Sequence, residues 1–247
     1  VIAAVEPAAL LSLVVAASGA FGLLVIVRRS AAGRPILYVA ERPFRPAPAS
    51  TLLVVAAGLF LAYAGGGMLL QAPGTASRVA GLAVPLAASA VALFLARRAV
   101  LLPRGSARWR IGVGLLYLWA SLPLVYGTYL LCLQWFPEQT SVALLRERSD
   151  GWQALALAAV LVAPVAEETC FRGLLYPALR AQLPARGAIV VSSLAFALVH
   201  QPAVWLPMAI LGAFLAWLVE TTGSVLPSIA AHMAFNGYNV ALLLLLG

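Results

Sequence analysis

Trp152–Arg172 reads WQALALAAVLVAPVAEETCFR, and its reading decides the fold. A long apolar run, Trp152 to Ala166, meets two adjacent acids, Glu167 and Glu168, out of only eight acidic residues in the chain. A carboxylate at membrane depth costs about 2.5–3.5 kcal/mol on insertion scales, so such residues are functional candidates by default. On a helix Glu168 and Arg172 are four apart and share a face, so they can pair. Glu167 is rotated about 100° away and lacks that partner. One acid is neutralised, and the other points elsewhere.

The same apolar length recurs along the whole chain. Its 247 residues are 63% hydrophobic and 10% charged, with mean hydropathy +0.99. That composition excludes a soluble domain and implies an integral membrane protein. The alternating pattern of a β-barrel is missing. The expected fold is therefore an all-α polytopic bundle of about eight transmembrane helices with a polar cavity. It forms a single membrane domain over 1–247, with N-terminal helices in 1–151 and the motif-bearing helices in 152–246. The expected spans are Ala8–Val27, Thr51–Leu70, Val79–Ala96, Ile111–Leu133, Trp152–Phe171, Gly187–His200, Ala203–Glu220 and Ser224–Leu246. Trp109 and Trp135 suit interface anchors.

The net charge is +8, carried by arginine with no lysine. The arginines cluster in short connections between spans, which argues for topology rather than nucleic-acid binding. Twelve arginines follow the first, third and fifth spans, and three follow the second and fourth. This places the odd-numbered connections in the cytoplasm and both termini outside. Cys132 and Cys170 have no CxxC partner, so no disulfide framework is expected. The first apolar run has no basic residues before it and does not read as a cleavable signal; the opening Val1 reads as a trimmed start. The lysine-free, Ala/Arg-rich composition points to a bacterial cytoplasmic membrane.

The chain's two histidines, His200 and His232, both fall in the last third. Phe196 and His200 are four apart, as are His232 and Asn236. Polar side chains at membrane depth face a bundle interior or a wet cavity, so convergence on one pocket is the economical arrangement. An acid assisted by imidazole can take a proton from water, and a second imidazole with an amide can donate to an oxyanion. Taken singly, these residues have plainer readings. Glu168–Arg172 reads as a structural ion pair, Phe196 as packing, Asn236 as an interhelical hydrogen bond, and Glu220 as a charge at a span end.

Glu167-Glu168-x-x-x-Arg172, Phe196-x-x-x-His200 and His232-x-x-x-Asn236, in that order, resemble the motifs of the CPBP family of intramembrane proteases. That family includes the CAAX prenyl endopeptidases and bacteriocin-processing and immunity-type proteins. The resemblance covers about Trp152 to Leu246. It implies an eight-helix fold with a cavity open toward the cytoplasm. It implies that Glu167 and His200 activate water, that His232 and Asn236 form the oxyanion site, and that Glu168 and Arg172 support them. The substrate implied is a membrane-associated peptide or protein within the lipid bilayer. Gly212 and the turn from Glu220 to Gly223 receive no role.

Two cofactor readings stay open. A metal-free route uses Asn236 as oxyanion donor. A divalent metal such as zinc would take Glu167, His200 and His232, although the HExxH arrangement is missing. Other classes compete with the protease. A non-catalytic immunity or scaffold protein would keep the fold. A haem-binding protein would use the two histidines axially. A transporter would show repeats, and none is visible. Asp150 is the only aspartate, which excludes an aspartyl dyad, and Ser192 and Ser193 stand poorly for a serine–histidine pair.

Overall fold

Pro164 and Pro177 shape the helix on which the acids stand. Each lacks an N–H and cannot close the ordinary turn behind it. In the computed structural model each follows a stretch of wide π-helix: Ala158–Val162 before Ala163–Glu168, and Thr169–Leu175 before Tyr176–Arg180. With Trp152–Leu157 these pieces form one rod, α5, over Trp152–Arg180. The span expected from sequence stops at Phe171. The rod instead runs on to Arg180, so the acids lie inside the helix and not at its end. A π-turn loosens the backbone without ending the helix, which is why the chain passes both prolines.

The described residues are 7–33, 49–72, 74–96, 105–136, 142, 145–148 and 151–246. Arg34, Arg42, Arg45, Arg97, Arg98, Arg104, Glu138 and Asp150 fall outside them. The helices before α5 are α1 Pro7–Ala31, α2 Ala49–Gln71, α3 Thr75–Ala96 and α4 Ala107–Cys132. After it come α6 Ala185–Leu198, α7 Trp205–Thr222 and α8 Leu226–Leu246. Among the described residues there is no strand, and six helices are long and apolar enough to cross a membrane. The protein is an all-α polytopic membrane protein. Large apolar side chains such as Phe21, Leu61, Met68 and Leu130 face outward, as a lipid-facing surface requires.

Trp109 and Trp135 are both exposed near opposite ends of α4. Its 26 residues measure about 39 Å at 1.5 Å per residue, enough to cross a hydrocarbon core of about 30 Å. By contrast α6 has 14 residues, about 21 Å, and stops partway. His200 therefore lies just past the end of α6, not within it as expected.

Pairwise contacts set the direction of each rod. Along α1 and α4, Gly19 meets Pro123 and Gly22 meets Trp119, so the two run antiparallel. Between α4 and α8, Gly114 meets Pro227 and Tyr126 bonds Asn239, so these run parallel. A Cβ on Gly114 would stand 2.7 Å from the Pro227 carbonyl oxygen, so only glycine admits this approach. On α5 and α7, Arg172 meets Gly212 and Tyr176 meets Glu220, again parallel. One end of the bundle thus gathers the end of α1, the start of α4, the ends of α5 and α7, and the start of α8. The other end gathers the end of α4, the start of α5, the α6–α7 connection and the end of α8.

Glu220 is not a solvated charge at a span end. It is 2% exposed, accepts from the Tyr176 hydroxyl at 2.7 Å, and pairs with Arg180 at 3.2 Å. From sequence Arg180 falls in a loop between spans. It closes α5 instead and neutralises this acid, tying α5 to α7. The sequence separation hides the pair.

Candidate active site

The site begins with the buried ion pair. Glu168 and Arg172 are both fully buried, and Arg172 Nη1 meets Glu168 Oε1 at 2.9 Å. Burying charges is tolerated when the pair gains further hydrogen bonds. Arg172 Nη2 donates to the Gly212 carbonyl at 3.0 Å, and the guanidinium carbon lies 4.2 Å from the centre of the Phe196 ring. Gly212, without a role on sequence alone, supplies that carbonyl. A Cβ there would come to 3.2 Å of Arg172, Phe196 and Ser193 together.

Glu168 Oε1 also accepts from His232 Nδ1 at 3.0 Å. A carboxylate only accepts, so Nδ1 carries the hydrogen, and Nε2 is the ring's free end. His200 is fixed in the same sense: its Nδ1 donates to the Phe196 carbonyl at 2.8 Å. The Trp205 indole holds the His200 carbonyl at 2.8 Å. Phe196, fully buried, packs edge-on against both imidazoles, at 4.8 Å from His200 and 5.8 Å from His232.

Both free ring nitrogens reach one carboxyl oxygen. Glu167 Oε2 lies 3.9 Å from His200 Nε2 and 3.9 Å from His232 Nε2. Its other oxygen accepts from the Tyr63 hydroxyl at 3.2 Å. On sequence alone Glu167 has no partner. The partner comes from α2, 104 residues away, and no motif marks it. Removing that hydroxyl should leave the acid free to rotate. If Glu167 has the water-activating role that the resemblance implies, Tyr63→Phe lowers kcat about tenfold with KM unchanged, because one hydrogen bond to a charged group is worth more than about 1.4 kcal/mol. Steady-state kinetics on a cleaved reporter peptide would check it.

Asn236 lies on the same cavity wall. Its amide nitrogen donates to the Ala159 carbonyl at 2.8 Å, inside the first π-turn of α5. The amide has two hydrogens, and this bond uses one. The cavity bordered by Glu167, His200, His232 and Asn236 has a volume of about 510 Å³. A second, of about 200 Å³, lies across Glu167 and His200, with Leu59, Tyr63, Cys170 and Phe171 in its wall. All four predicted site residues thus border one hollow. Ser192 and Ser193 do not: both hydroxyls bond back to the Ile189 carbonyl.

The metal reading fits poorly. Among the described residues no group of three His, Cys, Asp or Glu is arranged to hold a metal ion. Glu168 is spent on Arg172 and His232, and Asn236 on backbone. A metalloprotease is not supported.

Residues 150–238 match the family model described as Rce1-like: Type II CAAX prenyl endopeptidase Rce1-like. This segment, about a third of the chain, is similar to that family. It holds all four cavity residues together with Glu168, Arg172, Phe196 and Gly212, while Tyr63 lies outside it. No curated protein and no solved structure matches the chain. The Rce1-like match supports an intramembrane endopeptidase, acting on a peptide substrate in the membrane.

Proposed function

We propose that Glu167, His200, His232 and Asn236 hydrolyse a peptide bond at the floor of the larger cavity. The observation that carries this reading is the single carboxyl oxygen held 3.9 Å from two imidazole nitrogens. A water at about 2.8 Å from both Glu167 Oε2 and His200 Nε2 fits that gap. Glu167 takes its proton, and the oxygen attacks the substrate carbonyl carbon. The carbonyl oxygen becomes an oxyanion. His232 Nε2, when it carries a proton, and the second amide hydrogen of Asn236 donate to it. The carbon–nitrogen bond then breaks, and Glu167 returns the proton to the leaving amine.

Glu168 and Arg172 compensate each other, and Glu168 Oε1 accepts from His232 Nδ1, which leaves His232 Nε2 turned toward Glu167.

The test compares new protein termini, by mass spectrometry of membranes, between wild type and His200→Ala or His232→Ala. Each variant should remove the same set of termini. Removing one oxyanion donor costs about 10²–10³ in rate, so the His232→Ala set should fall below detection. An unchanged set in either variant refutes the role assigned to that histidine.

A further inference from the structure

The fold makes two expectations from sequence mutually exclusive. The arginine count places the odd-numbered connections in the cytoplasm, whereas the family resemblance implies a cavity open to the cytoplasm. The cavity lies at the opposite end of the bundle. Tyr129 from the end of α4, Leu155 from the start of α5, Pro207 from the start of α7 and Leu243 from the end of α8 all line it. His200 sits at its floor because α6 stops short there. Arg146, exposed, stands at its rim. Arg148 Nη2 donates to the Leu244 carbonyl at 3.2 Å, tying the α4–α5 connection to the end of α8 on that side.

The opposite end is the basic one. Arg28 and Arg29 close α1, Arg108 and Arg110 open α4, Arg180 closes α5, and Arg186 opens α6. At the cavity end, Arg146 and Arg148 are accompanied by Glu147. In full, twelve arginines stand against three. Such a bias in short connections sets orientation.

We infer that the cavity opens on the extracytoplasmic face, and that its substrate is a membrane-anchored segment of an exported polypeptide presented from that side. The substrate rests on the hydrolase reading; the orientation stands apart from it. The wall explains the substrate's character. Val125, Leu155, Pro207 and Leu243 offer apolar contact down to Glu167, which suits apolar side chains in extended chain. A polypeptide already across the membrane can lower such a segment into the cavity without recrossing.

The experiment uses single cysteines in a Cys132→Ala/Cys170→Ala background, expressed in bacterial spheroplasts. A membrane-impermeant maleimide is added before or after lysis. Glu147→Cys and Gln134→Cys, both exposed at the cavity end, should label fully in intact spheroplasts. Ala107→Cys, exposed at the start of α4, should label only after lysis. Met208→Cys, on the cavity wall, should react from outside with a small impermeant methanethiosulfonate. The reverse pattern at residues 147, 134 and 107 overturns the inference, and so does a Met208→Cys reached only after lysis. Neither result touches the catalytic roles, which the terminal mapping tests separately.

Discussion

Glu167→Gln should cut peptide cleavage about 10²–10⁴-fold, the usual contribution of a positioned general base. The substitution keeps the shape and a hydrogen-bond acceptor for Tyr63, which donates to Oε1 at 3.2 Å. In the proposed mechanism it removes the group that takes the proton. Oε2, 3.9 Å from both imidazoles, becomes half of an amide that cannot act as a base. Fold should survive, since the buried Glu168–Arg172 pair is untouched. Parallel readouts decide it: turnover of a membrane-anchored reporter, and thermal unfolding in detergent. A Glu167→Gln protein with wild-type turnover would end the hydrolase reading. It would also favour a non-catalytic scaffold.

Arg172→Met should produce the largest loss of stability. The guanidinium is fully buried and makes two bonds, to Glu168 and to the Gly212 carbonyl. Without it Glu168 loses its only charged neighbour of opposite sign among the described residues and keeps the donation from His232. Breaking a buried pair by removing one partner costs about 3–5 kcal/mol, because the remaining charge stays buried. For a chain of this length that corresponds to a fall in Tm of about 6–20 °C. The double variant Glu168→Gln/Arg172→Met removes both charges and should recover at least half of the loss. Equal melting of the single and double variants would show that the uncompensated carboxylate is not the source. Activity should fall further in the double variant, because a glutamine amide oxygen is a weaker acceptor for His232 Nδ1 than the Glu168 carboxylate.

The wide turns in α5 connect these two results. Pro164 sits just before the acids and Pro177 just after the arginine. The first π-stretch presents the Ala159 carbonyl to Asn236, and the second carries Arg172 toward α7. Without them the amide of Asn236 would lack its anchor. Apolar periodicity read from sequence does not register a wide turn.

The sequence by itself determined the membrane class, the pairing of Glu168 with Arg172, and the helix bounds to within about four residues except at the end of α5, which runs on past Phe171 to Arg180. Hydropathy and a four-residue spacing are local quantities, so they need no tertiary contact to be read. The two histidines were also legible as candidates, since an imidazole in an apolar helix is costly and rare. Only the tertiary structure decided how these pieces meet. Tyr63, Gly212 and the Glu220–Arg180 pair act across separations of 104, 40 and 40 residues. Such contacts depend on which rods lie side by side and in which direction. So does the side on which the cavity opens, because that follows from a helix too short to fill the bundle's height.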